Sequence, residues 1–238
     1  IPARGGSKRI KDKNLTRINN KPLIDYTLNI CKKFKNIETV ISTDNTAIRN
    51  HCIKKGFLNI HERPKKYSKD HSSMIDVLLD YLRYLSKNKI EKYKYIILLQ
   101  PTSPLRTYFD IKKSLNFFKK RKLNSLASVS KMREHPYECV EVKNKKWNYL
   151  AEPKKKISIS QNYKFNFFFI DGSVYINSVN FIKRYKSLIV KGKTKFFKNN
   201  NDYAIDIDYP EDLVIAKYRI EKTIECGRRT NKLFRKRK

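Results

Sequence analysis

A mostly parallel α/β sheet flanked by helices is the fold class that three features of the 238-residue chain predict. Short runs rich in β-branched residues alternate with amphipathic stretches of helical period, the signature of strand–crossover–strand units. One run, Tyr95-Ile96-Ile97-Leu98-Leu99, is apolar throughout, as expected of a parallel strand covered on both faces. Two helical stretches open at prolines, Pro22 and Pro210, whose fixed φ suits a first turn.

The elements follow in order. From Pro22 a helix presents Leu23, Thr27, Ile30 and Phe34 on one face, at spacings of 4, 3 and 4. Residues 39–43 read as a short buried strand closed by Asp44-Asn45. A helix over about 46–55 ends at Gly56, the usual residue just past a helix end. After a polar loop from Arg63-Pro64 to Asp70, Met74, Val77, Leu78, Tyr81, Leu82 and Leu85 mark an amphipathic helix. The apolar strand at 95–99 stops at Gln100-Pro101, a helix covers about 109–121, and 125–130 is a further strand. Residues 132–170 lose helical periodicity and read as an inserted arm. The run at 173–176 resumes the sheet, and 203–208 is its last strand. From Pro210 the final helix carries Leu213, Ala216, Ile220 and Ile224 on one face. The expected organisation is one domain over 1–222, with the arm at 132–170, and a solvated, mobile basic tail at 223–238.

Composition bounds the function. The 55 Lys+Arg against 22 Asp+Glu leave a net charge of +33, which invites a nucleic-acid reading because phosphate neutralisation dominates such binding. The cations are mainly lysine, 40 against 15 arginines, whereas arginine is the better bidentate reader of phosphates and bases. Lys accompanies abundant Asn, Ile, Tyr and Phe, all with A/T-rich codons, so base composition suffices to explain the charge, with attraction of anionic substrates a secondary effect. No apolar run is long enough to span a membrane. Cys31, Cys52, Cys139 and Cys226 lack paired spacing, a pattern that fits reduced thiols in a cytoplasmic protein.

Two places carry chemistry. Gly5-Gly6, followed by Ser7, Lys8 and Arg9, is a turn whose backbone N–H groups can face an anion, with added cationic charge. It matches neither GxxxxGKS nor GxGxxG, yet it lies at the carboxyl end of a strand, where open α/β sheets bind ligands. Asp206 and Asp208, two residues apart on a presumed strand, share a face and suit Mg²⁺, which takes a few carboxylates plus substrate phosphates. Asp208 also sits where it could cap the helix opened by Pro210. Gln100 and Arg106 flank a proline-rigid turn suited to orienting a polar substrate or simply to forming the turn. The four histidines, at 51, 61, 71 and 135, show no ligand spacing, and no Ser-His-Asp arrangement follows from the chain order.

The opening Ile1-Pro2-Ala3-Arg4-Gly5-Gly6-Ser7-Lys8-Arg9, with Lys13-Asn14 and Lys21-Pro22-Leu23, resembles the acylneuraminate cytidylyltransferases, the CMP-sialic acid synthetases. Ser42-Thr43-Asp44, Arg63-Pro64, the run from Leu98-Leu99-Gln100-Pro101 to Leu105-Arg106, and Asp206-Ile207-Asp208 follow in the family's order across residues 1–222. The resemblance implies a Rossmann-like nucleotidyltransferase that joins CTP to a nine-carbon sialic-acid-like nonulosonic acid and releases pyrophosphate. It implies that Arg4, Gly5, Gly6, Ser7, Lys8 and Asn14 hold the CTP, completed by Arg63 and a serine at Ser72 or Ser73. It implies a sugar pocket of Gln100, Arg106, the Asp171-Gly172 turn and Tyr175, and Mg²⁺ on Asp206 and Asp208. Arg4 and Lys8 would offset charge on the leaving pyrophosphate; whether Asp208 takes the hydroxyl proton stays open. Family members are usually homodimers in which the arm reaches the partner's site.

Three departures accompany the match. The family has apolar residues ahead of the position of Ile1, so the first strand is expected to be incomplete. The usual Arg-x-Asn-Gly is here Phe169-Ile170-Asp171-Gly172, and the arm's Arg-Gln pair is replaced around Ser160-Gln161-Asn162. The last two leave the sugar's identity open. Alternatives are a 3-deoxy-manno-octulosonate cytidylyltransferase, whose opening usually lacks the Gly-Gly-Ser-Lys run, and a basic nucleic-acid-binding protein without turnover.

Overall fold

In a computed structural model of the chain, the described backbone comprises residues 1–88, 93–132, 134–152, 166–199 and 204–235, with side chains described as far as 223. A short antiparallel pair, β1 (Arg17–Ile18) and β2 (Lys21–Pro22), precedes α1 (Leu23–Cys31). Then come β3 (Ile41–Thr43), α2 (Thr46–Lys54), β4 (Ile60–Glu62), α3 (Met74–Lys87), β5 (Tyr95–Leu98), α4 (Tyr108–Lys120) and β6 (Ser125–Lys131). The chain continues through β7 (Val140–Lys143), β8 (Lys146–Tyr149), β9 (Phe168–Ser178), α5 (Val179–Tyr185), β10 (Lys195–Lys198) and α6 (Pro210–Arg235).

Local chemistry sets the helix starts. The Asn45 side chain accepts from the Ile48 N–H at 3.0 Å, and that of Ser73 from the Asp76 N–H at 3.2 Å. Thr107 and Asp110 form a reciprocal capping box ahead of α4. At α6 the Asp212 carboxylate accepts from the N–H groups of Asp208 and Tyr209, at 2.8 and 2.7 Å. The cap is therefore Asp212, and the Asp208 side chain is released to other partners.

The larger sheet has the order β10-β6-β9-β5. β9 runs antiparallel to β5 and β6, and β10 parallel to β6, so every strand but β9 shares one direction. β3 and β4 pair in parallel, with the start of the chain alongside through a Pro2–Ser42 bridge. An apolar cleft of about 440 Å³, bordered by Val40 and Ile97, lies between the two sets. Helices cover both faces: α1, α2 and α4 bury Leu28, Cys52 and Ile111 with Leu126 and Ile176. On the other side α3 and α5 bury Leu82, Leu85 and Ile182 against Leu98. A third cluster seats Ala216 of α6 on Ile18, Leu23 and Ile207.

Several expectations change. In the 95–99 run, Tyr95, Ile96 and Ile97 are half-buried beside the cleft that Ile1 and Pro2 also line, while Leu98 and Leu99 are buried. The resumed strand at 173–176 is the reversed β9. Residues 204–208 form no ladder among the described residues and are held by the Ile207 N–H donating to the Thr102 carbonyl at 2.9 Å; Tyr203 lies outside the described residues. The basic stretch expected to be a mobile tail continues α6 as helix through Arg235. Within 132–170 the described elements are a 3-10 turn at Pro136–Glu138, the β7–β8 hairpin and the start of β9; Ser160, Gln161 and Asn162 lie outside the described residues.

Candidate active site

The loop at residues 2–8 is anchored to the end of β3. The Ala3 N–H donates to the Ser42 carbonyl at 2.9 Å, and the Gly5 N–H to Asp44 Oδ1 at 2.9 Å. A Cβ at Gly5 would lie 2.8 Å from the Asn45 amide nitrogen, and Gly6 adopts φ +64, so the pair answers two steric demands at once. Asn14, buried, donates to the Arg4 carbonyl at 2.9 Å and pins the loop from its other side.

This loop walls a pocket of about 560 Å³ at the carboxyl ends of β3, β4 and β5. Of the residues singled out from the sequence, the structure brings Arg4, Ser7, Lys8, Asn14, Arg63, Gln100, Asp206 and Asp208 to it, with Ser72 rather than Ser73. Arg63 is almost fully buried, and burial, with Arg4 nearby, lowers its pKa to about 10, still charged at neutral pH. Asp70 bridges two of the cations, at 2.8 Å from Arg4 and 2.7 Å from Lys8. Burial, reinforced by neighbouring Asp208, holds the Asp206 carboxyl above its ordinary pKa against opposing contributions from Thr102 and Lys13.

Lys13 is a site residue that its sequence position did not announce. Its Nζ donates to Asp208 Oδ1 at 2.9 Å and to the Ile207 carbonyl at 2.7 Å, with Arg9 at 3.6 Å from the other Asp208 oxygen. Lys13 and Asp208 are 195 residues apart, so spacing carries no trace of the pair; its adjacency to Asn14 was the one available signal.

Gln100 borders the pocket, but three of its expected companions stand behind that wall. On β6, Ala127 faces Tyr175 while Val129 faces Ile170, so β9 bulges over residues 171–174. Asp171 is the hub of the bulge: it accepts from Ser128 Oγ, from Ser130 Oγ at 2.7 Å, from Asn199 Nδ2 at 3.1 Å and from the Ser173 N–H at 2.9 Å. Arg106 donates to the carbonyls of Ser173 (2.7 Å) and Gln100 (3.1 Å) and to Thr27 Oγ1 (2.5 Å). Full burial lowers its pKa to about 10. Neither side chain lines the pocket, and both tie the protein to itself through these hydrogen bonds. Tyr175 lies half-buried nearby, its pKa raised by desolvation and then by Asp171 and Asp206. Gly172, at φ +67, faces the pocket wall: a Cβ there would meet Gln100 Oε1 at 3.0 Å and Asp206 Oδ2 at 4.0 Å.

The site thus offers clustered cations, two carboxylates and a polar wall at strand ends, an arrangement for holding a polyanion beside a neutral polar group. Comparison with known proteins agrees. A family model described as cytidylyltransferase matches residues 1–225. The N-acylneuraminate cytidylyltransferase of Streptococcus agalactiae is 24% identical over 99% of this chain, and the chain spans 56% of that relative's length. The CMP-N,N'-diacetyllegionaminic acid synthase of Legionella pneumophila is 29% identical over 95% of this chain and 97% of its own. In structure, the CMP:2-keto-3-deoxy-manno-octonic acid synthetase complexed with CTP superposes with a TM-score of 0.65 over 93% of this chain and 97% of that one, at 16% identity, a likeness of fold. The chain belongs to the cytidylyltransferase family.

Proposed function

We propose that the chain transfers CMP from CTP to the anomeric hydroxyl of a sialic-acid-like nonulosonic acid and releases pyrophosphate. One observation carries this reading: Arg4, Lys8, Lys13 and Arg63 converge on the pocket that also holds Asp206, Asp208 and Gln100. The relatives named for N-acylneuraminate and diacetyllegionaminate favour such an acceptor.

In this reaction the sugar hydroxyl oxygen bonds to the α-phosphorus, the bond to the β-phosphate oxygen breaks, and the hydroxyl proton leaves. Such displacements need positioning and charge neutralisation rather than a covalent nucleophile. Arg4 and Lys8, freed from Asp70, hold the departing phosphates; Asn14 and Arg63 seat the nucleotide; Gln100, backed by the Gly172 bulge, orients the sugar. Asp206 and Asp208 fit Mg²⁺, being two hard oxygen ligands beside a phosphate site, and the ion supplies charge stabilisation when bound. Lys13, which donates to Asp208 Oδ1 here, would be displaced if an ion were held there and would be free to face phosphate.

The domain reading extends this proposal: residues 1–222 form the catalytic unit, and the arm makes a homodimer contact. Val142, Trp147 and Tyr149 of the β7–β8 hairpin and Phe168 and Phe169 of β9 are exposed, which supports a surface that a second copy covers. The free thiols of Cys31, Cys52 and Cys139 suit the cytoplasm. No described helix is long and apolar enough to cross a membrane.

The test is pyrophosphate release from CTP with a panel of nonulosonic acids and 3-deoxy-manno-octulosonate, with and without Mg²⁺. Release with one nonulosonic acid, absent with ATP, is expected. Release with the octulosonate alone would move the assignment to that acceptor. No release and no CTP binding, with tight salt-sensitive binding to nonspecific DNA, would replace it with the nucleic-acid reading.

A further inference from the structure

The chain order suggested no Ser–His–Asp arrangement, yet the fold builds one behind the nucleotide pocket. Parallel pairing of β3 with β4 sets Ser42 opposite His61, and α3 brings Asp80 to the far side of the imidazole. His61 Nδ1 lies 3.0 Å from Ser42 Oγ, and its Nε2 lies 3.3 Å from Asp80 Oδ2. Ser42 in turn receives Arg63: Nε donates to Ser42 Oγ at 3.2 Å and Nη2 to the Ser42 carbonyl at 2.7 Å. We infer that Asp80, His61 and Ser42 form a positioning chain that aims the Arg63 guanidinium at the nucleotide.

The carboxylate at the far end gives the chain its direction. Asp80 can only accept, so the His61 Nε2 facing it carries a proton. In the neutral ring Nδ1 is then an acceptor and takes the Ser42 hydroxyl proton. The Arg63 Nε–H, which can only donate, occupies a lone pair of the same Ser42 oxygen. The order is thus Arg63 to Ser42, Ser42 to His61, His61 to Asp80, each group donating to the next. Burial favours the neutral ring and lowers the His61 pKa, with Arg63 acting in the same sense and Asp80 opposing. The rings of Tyr81 and Tyr84 pack against it at 5.2 and 5.7 Å, and Arg83 stands 3.8 Å from the other Asp80 oxygen.

With Nε and Nη2 committed to Ser42, Nη1 is the guanidinium nitrogen left to serve the pocket that Arg63 borders. Ser42 and His61 are both buried, so neither touches a bound nucleotide; they act through Arg63. The Ser42 hydroxyl is no nucleophile here, since its oxygen is already occupied by a cationic donor. The inference rests on the CTP reading for its ligand, whereas the chain itself can be judged in the free protein.

Two measurements test it. Nitrogen chemical shifts of the histidines in the free protein, with the His61 signal assigned by its loss in His61→Phe, should report a neutral Nε2–H tautomer at pH 7. An Nδ1–H tautomer or an imidazolium would overturn the chain regardless of what the protein binds. Calorimetric titration with CTP should show Ser42→Ala and His61→Phe binding about tenfold more weakly, with a raised KM for CTP and kcat changed little. Asp80→Asn, whose amide oxygen still accepts from Nε2–H, should restore nearly full affinity where Asp80→Leu does not. That pair lies on α3, at a part-buried position outside the sheet, and remains informative if a strand variant fails to fold. Equal CTP affinity across wild type, Ser42→Ala and Asp80→Leu would overturn the inference. Absence of CTP binding by wild type itself would instead sink the proposed function, leaving the tautomer to decide on the chain.

Discussion

The pocket and the wall behind it use the same residue types in opposite ways. In the pocket Lys8 and Arg9 have side chains 81% and 56% exposed, and their carboxylate partners can be exchanged for a ligand's oxygens. Behind the wall Arg106 and Asp171 are 5% and 3% exposed, and both are tied to backbone and side-chain groups of the protein. Placement, rather than residue identity or burial alone, separates the two: Arg63 is as buried as Arg106 yet borders the pocket, whereas a charge behind the wall needs fixed partners within the protein.

Substitutions can break this contrast or sharpen it. The largest effect belongs to Asp206→Asn, Asp208→Asn and Lys8→Ala, each expected to lower turnover by about 10²–10³-fold or more with the fold retained. Pyrophosphate release alongside a melting curve checks this, and near-wild-type rates would remove the residue from the mechanism. Arg106→Met should do the reverse. It frees two carbonyls and Thr27 from a buried cation and costs about 3 kcal/mol of stability in a urea titration; an unchanged midpoint would refute the structural role. Gly172→Ala comes next, with strain of about 1 kcal/mol from its positive φ and a Cβ pressed on Gln100. Its signature is a raised KM for sugar with that for CTP unaltered. Smallest is Asp70→Asn, which releases Arg4 and Lys8 and should tighten CTP a few-fold at low salt, a gain that fades as salt screens the exposed pair.

Residues near one another in the chain were the legible ones. Prolines, apolar periodicity and the stop at Gly56 placed the helices, and Gly5-Gly6 with its following cations announced the loop that walls the pocket. What depended on pairing was hidden. Strand direction leaves no mark on a run such as 173–176, because alternation is the same either way, so the reversal of β9 was invisible. α5 and β10 are short and lysine-bearing, too brief for a period to show. Arg106 read as a substrate ligand because it follows a strand end; its partners, the bulge carbonyl at Ser173 and the hydroxyl of Thr27, are 67 and 79 residues distant. Ser42, His61 and Asp80 were each unremarkable until the β3–β4 register and α3 met.

The pocket draws on both sets of strands: Arg4 and Arg63 stand on the β3–β4 side, Gln100 and Asp206 on the side of the four-stranded sheet. A ligand of the proposed kind would touch residues of both sets at once. At about 100 times Kd it would add about 2.7 kcal/mol to the folded state. Under the proposed function, the chain should resist unfolding most while CTP is held and least once the pocket has emptied.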